Sequence, residues 1–364
     1  MIPQADPSRR IARFRMEVDR AIANTVSSPH YILGPAVESF EADFAAYLGV
    51  KHCVGVASGT DALALTLRGM GIGAGDEVIT TALTFSGTAQ AILHCGARPR
   101  FVDIDPISRC IDPAAVEAGI TSRTAAIIPV HLFGHPANML RLMDIAGHHG
   151  LAVLEDCAQA HGASIDGRML GGFGHASAFS FYPTKNLGGI GDSGAIVTND
   201  DLLAARLRSL RHYGMKDSQR ISSTMGFNSR MDELQAAILS VLLPHLDAGN
   251  IERRALADEY RRELAGLDLL LPPDDPGAVY HQFAIAYKDR DRLAHLLQSE
   301  MGIGTSVHYH PLLNHHPAFK DAIVDQLPHS EWLSPRLLSL PIQPEVAAGN
   351  AGIIAESIDK AIKP

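Results

Sequence analysis

Lys185 stands in the segment Ser180-Phe181-Tyr182-Pro183-Thr184-Lys185-Asn186-Leu187-Gly188-Gly189, between two apolar stretches that read as strands. A lysine held there is a candidate for a covalent imine with a carbonyl compound. Upstream, Asp156 closes the apolar run Leu151-Ala152-Val153-Leu154-Glu155. An amine nucleophile and a buried carboxylate form the pair that pyridoxal phosphate chemistry requires, one for the aldehyde and one for the pyridinium nitrogen. A lone lysine of this kind is far more often a surface-loop residue, and such an aspartate a plain strand end. The weight therefore falls on what surrounds the two.

Open α/β sheets bind ligands outside the carboxyl ends of their strands, and several segments here map to such ends. Ala57-Ser58-Gly59-Thr60-Asp61 follows one apolar run and opens a helix. Gly59 permits close backbone approach, Thr60 offers a hydroxyl, and the helix start offers free N–H groups to a phosphate. Taken alone the segment is weak evidence, because Ser, Thr and Asp are common helix caps. Thr84-Phe85 follows the next run, where an exposed ring would lie flat on a planar cofactor, although a core phenylalanine is the commoner case. Gln159 lies three residues beyond Asp156, within reach of a ring hydroxyl. Ser180 precedes Lys185 and has a hydroxyl to donate to the phosphate. Gly188, Gly189, Gly191 and Gly194 make the following loop tight enough to pack on a cofactor. A carboxylate against the ring nitrogen keeps it protonated, and a protonated ring is the electron sink for a substrate carbanion.

These residues need a scaffold, and the hydrophobic pattern supplies one. Val37, Phe40, Phe44 and Leu48 recur at helical spacing and stop at Gly49. Strands are expected at 52–57, 77–81, 100–104, 125–130 and 151–156, with helices at 60–68, ending near Gly96, opened by Asp112-Pro113, and ending at His149. Further strands are expected at 176–182 and 195–198. Strand–helix alternation of this kind predicts an α/β fold, a mostly parallel sheet with helices on both faces. Beyond it, 231–246 reads as a helix that Pro244 must kink or end. A charged helix over 252–264, a strand at 282–287, a helix at 290–301, a strand at 306–309 and a last helix to Lys363 follow. The change of pattern puts a boundary near Asn250, dividing a large domain (1–249) from a smaller C-terminal α+β domain (250–364).

Composition excludes other classes. The chain has 364 residues, 46% hydrophobic and 20% charged, enough for a large core in two domains. A net charge of -9 without a basic stripe argues against nucleic acid. None of the 18 histidines shows a zinc-ligand spacing with the cysteines, so no metal is expected. Cys53, Cys95, Cys110 and Cys157 form no C-x-x-C pair, a usage that fits a reducing compartment. With no apolar leader at the start and no apolar stretch long enough for a bilayer, the expectation is a cytoplasmic protein without membrane contact.

With these segments in view, the chain resembles the DegT/DnrJ/EryC1/StrS family of nucleotide-sugar aminotransferases, enzymes of the pyridoxal-phosphate-dependent type I (aspartate aminotransferase-like) fold. The resemblance runs through YILGPAVESFEADFAAYLG (31–49), ASGTDALALTLRGMGIGAGDEVIT (57–80), FVDIDP (101–106), IIPVHLFGHPANM (127–139), LEDCAQAHGA (154–163), FSFYPTKNLGGIGDSGAIVTND (179–200) and GFNSRMDELQAAIL (226–239). It implies that Lys185 holds the cofactor and then shuttles protons, that Asp156 pairs with the ring nitrogen and Gln159 with the ring oxygen, and that Gly59, Thr60 and Ser180 hold the phosphate. Phe85 matches the stacking position. Asn228 would reach the phosphate of a neighbouring subunit's cofactor, which implies a homodimer with shared active sites. Arg230 is a candidate for a substrate anion, with a surface salt bridge as the alternative. The histidine-rich stretch from His308 and Tyr309 to His316 occupies the place of a sugar-facing segment, and the first ten residues lack the usual family opening.

The resemblance further implies two half-reactions. L-glutamate gives its amine and leaves pyridoxamine phosphate; a nucleotide-linked keto sugar then takes the amine. The FYPTKNLG form resembles members acting on 3-keto-6-deoxyhexoses, with 4-keto and 2-acetamido-3-keto sugars as alternatives. Relatives with histidine in place of the lysine are dehydratases, which Lys185 argues against. A non-catalytic cofactor-binding regulator is the alternative from a different class; it would usually carry an added DNA-binding or ligand domain, for which this chain has neither room nor charge.

Overall fold

The structure is a computed structural model that describes residues 1–216 and 220–363. Its helices are α1 (Pro7–Arg13), α2 (Arg15–Val26), α3 (Pro35–Leu48), α4 (Gly59–Gly69), α5 (Ser86–His94), α6 (Pro113–Gly119), α7 (Met139–His149), α8 (Asp201–Leu210), α9 (Glu233–Leu242), α10 (Leu246–Glu263), α11 (Arg290–Ser299), α12 (Pro328–Leu333), α13 (Pro344–Ala347) and α14 (Ala351–Ile362). Its strands are β1 (His52–Val56), β2 (Glu77–Thr81), β3 (Arg98–Val102), β4 (Thr124–Ile127), β5 (Ala152–Asp156), β6 (Ser164–Ile165), β7 (Arg168–Met169), β8 (Ala176–Ser180), β9 (Gly194–Thr198), β10 (Met215–Lys216), β11 (Ile221–Ser222), β12 (Phe283–Ala286), β13 (Ile323–Val324) and β14 (Leu337–Leu340).

Eight strands form one sheet in the order β1-β9-β8-β5-β4-β2-β3-β13. Every pairing from β8 to β13 is parallel, while β9 runs against both of its neighbours. The strands read as near-continuous apolar runs because both faces are covered. Successive residues point to opposite faces: Cys53, Ile79, Ile127, Val153 and Val197 enter one core, and Val54, Val78, Ala126, Leu154 and Ile196 enter the other. This α/β architecture matches the expectation. A third core, from Leu256 to Ala361, surrounds the antiparallel pair β12–β14.

Helix α3 shows how packing fixes the site. Phe40 and Phe44 are fully buried, and Phe44 meets Phe179 and Phe181 edge-on at 5.1 and 5.3 Å. Burying each such ring contributes about 1.5–3 kcal/mol, and this pair pins both sides of Ser180. The helix stops at Gly49, whose φ of 69° suits glycine.

Three expectations need correction. The helix expected over 231–246 starts at Glu233 and loosens into a 3₁₀ turn at Leu243–His245. The chain then re-enters helix at Leu246, so α10 is longer than the expected 252–264 and runs straight through Asn250. Pro244 has no N–H to donate and breaks the ladder, whereas Gly249 only weakens it. The strand expected at 306–309 is absent: Ser306 alone bridges to Ser339, and the chain then bends at His308 and Tyr309. Their polar side chains bond across the molecule, so alternation there carried no ladder. Helix α8 escaped notice although Asp200 caps it and Leu203, Leu207 and Leu210 line its buried face.

The C-terminal third also returns to the large body. β13 pairs with β3, and Leu312, Leu313 and Phe319 join the core on that side. No helix of the described residues is long and apolar enough to cross a membrane.

Candidate active site

A cavity of about 500 Å³ opens at the carboxyl end of the sheet. Gly59, Thr60, Phe85, Asp156, Ser180 and Lys185 line it, as does Gln159. The structure thus gathers seven of the expected cofactor residues from four separate stretches of chain.

Asp156 is the last residue of β5 and is buried. Its Oδ2 accepts from the Thr88 hydroxyl at 2.8 Å and its Oδ1 from the Ala158 N–H at 3.1 Å. Burial still pushes its pKa up from the ordinary carboxylate value, against those bonds and the charge of Lys185. Each oxygen retains acceptor capacity, so a cation placed in the cavity finds a directed partner. Behind it, Glu155 turns to the other face and accepts from the Gly171, Phe173 and Gly174 N–H groups and from Ser177. His131 takes the Ala137 N–H on Nδ1, which leaves its Nε2–H to face Glu155 at 3.2 Å. His131, Glu155 and Cys157 lie close enough for a metal, but Glu155 is already spent on these donors.

Lys185 follows β8. Its N–H bonds to the Tyr182 carbonyl at 2.8 Å and its carbonyl accepts from Arg10 at 2.6 Å. Burial draws the ammonium pKa down from 10.5 to about 8, with Asp156 opposing the shift. The neutral form needed in a nucleophile or base is therefore far more populated near physiological pH than in an ordinary lysine, though still the minority.

Helix α4 starts at the cavity. Ser58 caps it by accepting from the Asp61 N–H at 3.1 Å, leaving the Gly59 and Thr60 N–H groups as first-turn donors. Gly59 has a steric reason: a Cβ there would lie 2.7 Å from the Ser180 Cβ. Phe85 caps α5 with its ring 58% exposed, unusual for a phenylalanine and suited to a planar group laid against it. A lysine, a facing carboxylate, a helix start and an exposed ring together fit a phosphorylated pyridine aldehyde.

The far wall comes from the C-terminal third. Tyr309 Oη accepts from Gln159 Nε2 at 2.9 Å. Gln159 Oε1 is taken by the Phe133 N–H at 2.7 Å. His308 Nδ1 meets Ser339 Oγ at 2.9 Å, and burial beside Lys185 draws its pKa down to about 4. His281 meets Asn186 Oδ1 at 3.2 Å and is likewise held neutral by burial and Lys185. Sequence reasoning missed Thr88, His281 and Gln282. Only Thr88 carried a signal, since Thr84 and Thr88 stand one turn apart where a helix follows a strand.

Two expected residues lie elsewhere in this chain. Asn228 is exposed and bridges to His212; Arg230 meets His212 Nδ1 at 3.2 Å and lies over the Tyr213 ring. Between them, Ser229 donates to Asp61 at 2.6 Å, which ties this segment to the outer side of the α4 start.

Fold and site together define an α/β enzyme built around a lysine and a facing carboxylate. A model of the DegT/DnrJ/EryC1/StrS aminotransferase family matches residues 13–359, and the chain belongs to that family. It is a pyridoxal-phosphate-dependent aminotransferase. It is 45% identical, over 98% of its length and 95% of the relative's, to a dTDP-3-amino-3,4,6-trideoxy-alpha-D-glucose transaminase of Streptomyces venezuelae. A relative from Geobacillus stearothermophilus described as a pleiotropic regulatory protein is 44% identical, with 98% and 97% of the two chains covered. Among solved structures, S. venezuelae DesV in complex with a ketimine intermediate superimposes with a TM-score of 0.96 at 44% identity, covering 100% and 99% of the two chains.

Proposed function

We propose that the enzyme moves an amino group from L-glutamate to a nucleotide-linked keto sugar, a 3-keto-6-deoxyhexose by preference, in deoxyamino-sugar biosynthesis. The observation that carries this reading is the cavity in which Lys185, with its lowered pKa, shares space with Asp156 and the α4 start. Relatives named for 3-amino sugars on dTDP, and one from Acidithiobacillus ferrooxidans named as a UDP-N-acetyl-3-dehydro-alpha-D-glucosamine 3-aminotransferase, support the substrate class. Alternatives within it are 4-keto and 2-acetamido-3-keto sugars.

Pyridoxal phosphate, when bound, supplies the aldehyde that takes the amine and the ring that withdraws electrons from the reacting carbon. The protein does the rest. Asp156 would hold positive charge on the ring nitrogen, Gln159 would serve the ring oxygen, and Gly59, Thr60 and Ser180 would receive the phosphate. Lys185 would hold the cofactor through its amine and, once free, would carry a proton away from the donor's α-carbon. In the second half it works in reverse on the sugar. His308, Tyr309 and Arg230 are the side chains we assign to the sugar nucleotide.

The same reading makes the working unit a homodimer. Asn228 is exposed beside Ser229 and the α4 start, where it is available to a second copy's phosphate site. Residues 1–249 and 250–364 would form its large and small domains. The four free cysteines, three of them buried, suit the reducing cytoplasm.

Mixing the holoenzyme with L-glutamate should bleach the absorbance of the lysine-held cofactor and raise that of pyridoxamine phosphate. A panel of nucleotide-linked 3-keto and 4-keto sugars should then reverse the change for one class. No spectral change with any amino donor would sink the transaminase reading and favour a regulator, the description carried by the Geobacillus relative.

A further inference from the structure

Arg10 lies in α1, far in sequence from Lys185, yet its guanidinium grips the lysine loop from behind. Nη1 donates to the Lys185 carbonyl at 2.6 Å and the Asn186 carbonyl at 3.1 Å. Nη2 donates to the Pro183 carbonyl at 2.8 Å and the Gly188 carbonyl at 2.9 Å. Among the described residues Arg10 bonds to no carboxylate, so the dipoles of four carbonyls balance its charge. Burial accordingly lowers its pKa, with only Glu345 working against the shift. Gly188 is shaped to this contact: a Cβ there would stand 2.8 Å from Arg10 Nη2 and 2.7 Å from the Pro183 carbonyl.

We infer that Arg10 is a positioning residue for Lys185. The lysine's N–H is tied to the Tyr182 carbonyl, and its own carbonyl is tied to Arg10. Both peptide planes flanking its Cα are thereby fixed, and the side chain retains only its own torsions for reaching the cavity. A planar fork with several donors suits four converging carbonyls, where a lysine's point charge would leave some unmet.

The grip is itself anchored in the C-terminal third, at one point in the cavity wall. Asp6, which caps α1, exchanges two bonds with Gln343: Asp6 N–H to Oε1 and Nε2 to the Asp6 carbonyl, each 2.8 Å. Arg9 donates to the Glu345 carbonyl at 3.2 Å. Gln4 donates to Gln282, a residue of the cavity wall, at 2.7 Å. Ile2 bonds to Gly302 and Gly304 at 2.8 and 2.7 Å. Residues 2–10 thus link the C-terminal wall to the lysine loop, so placement of the base and of the wall depend on one short segment.

This inference rests on Lys185 being the base of the proposed reaction, and its test keeps the two apart. Arg10→Met removes every donor at similar length, and Arg10→Lys keeps the charge. Hydrogen–deuterium exchange on the apoprotein should be at least about tenfold faster in peptides covering 183–189 of Arg10→Met, and unchanged in β4. In the holoenzyme, the single-turnover rate with glutamate should fall about 10- to 100-fold, since misplacing a reacting group by an ångström costs about that much. The donor concentration for half-saturation should stay within about threefold, as uniform binding is untouched. Arg10→Lys should recover part of both losses. Should Arg10→Met fail to fold, Arg10→Gln takes its place with the same readouts. Wild-type exchange and rate in the variant would overturn the inference, as would a loss that merely tracks melting temperature without rescue by lysine. Retention of the lysine-held cofactor absorbance in Lys185→Ala would instead defeat the underlying reading, whatever Arg10 does.

Discussion

On one side of the cavity Asp156 ends a buried strand, Gly59 starts a helix where it abuts Ser180, and Lys185 sits in a loop whose own peptide groups are bonded. On the other side His281, Gln282, His308 and Tyr309 rest on side chains reaching across the molecule: Tyr309 on Gln159, His308 on Ser339, Gln282 on Gln4. Backbone contacts hold an atom within tenths of an ångström and tolerate little change. Side-chain contacts permit exchange of one residue for another without unfolding the sheet. On the function proposed above, reaction chemistry falls to the first side and choice of substrate to the second.

The largest effect should come from Lys185→Ala. Removing nucleophile and base together should lower turnover by at least about 10³-fold, in the upper part of the range of about 10²–10⁴ for the loss of a single general base. The absorbance of the lysine-held cofactor should vanish while circular dichroism stays near wild type, because Lys185 belongs to none of the three hydrophobic cores. A small drop in turnover would break the assignment of chemistry to this side.

Asp156→Asn should come next, and its signature is a pH shift. Asp156 raises the Lys185 pKa against a larger lowering by burial. Without it the lysine should lose its proton at lower pH than about 8. Amine-directed labelling of the apoprotein across pH, read by peptide mass, would measure that shift directly. The sign for stability follows. The folded chain releases this proton at about 8 and the unfolded chain at 10.5, so over that window the unfolded state binds more protons. Apoprotein stability attributable to Lys185 should therefore rise with pH across the window, where denaturant melts would record it. An unchanged labelling midpoint in Asp156→Asn would separate the two groups and undo the pairing.

The two sides also differed in how far the sequence disclosed them. Strand ends were partly legible because alternate residues enter two cores: Asp156 closes β5 as expected, whereas β8 stops at Ser180, two residues short of the expected 176–182. The α4 start was legible through Ser58 and Gly59. Thr88 bonds to a carboxylate 68 positions away and Arg10 to carbonyls more than 170 away, and no local pattern announces such contacts. The alternation at 306–309 misled for the same reason, since its partners are side chains rather than a neighbouring strand. Asn228 and Arg230 are not among the residues lining this chain's cavity, so their assignment depends on a second copy rather than on anything local.

The smallest effect sharpens the comparison most. Tyr309→Phe deletes the hydroxyl that meets Gln159 Nε2 and leaves the ring beside Phe85, 6.1 Å between centroids. Gln159 keeps its bond from the Phe133 N–H, so its position should survive while one donor goes unmet. An unmet buried donor costs about 1–3 kcal/mol, and the open cavity should place this variant at the low end. Turnover with saturating sugar should fall by less than about tenfold while the Michaelis constant for the sugar rises, the mark of lost uniform binding. The glutamate half-reaction should change little. Pairing Tyr309→Phe with Gln159→Leu in a double-mutant cycle should give a coupling of about 0.5–3 kcal/mol in sugar binding, as for residues in contact. A glutamate half-reaction as damaged as in Asp156→Asn would move Tyr309 to the chemical side, and the division between a backbone-held site of reaction and a side-chain-held site of selection would no longer describe this cavity.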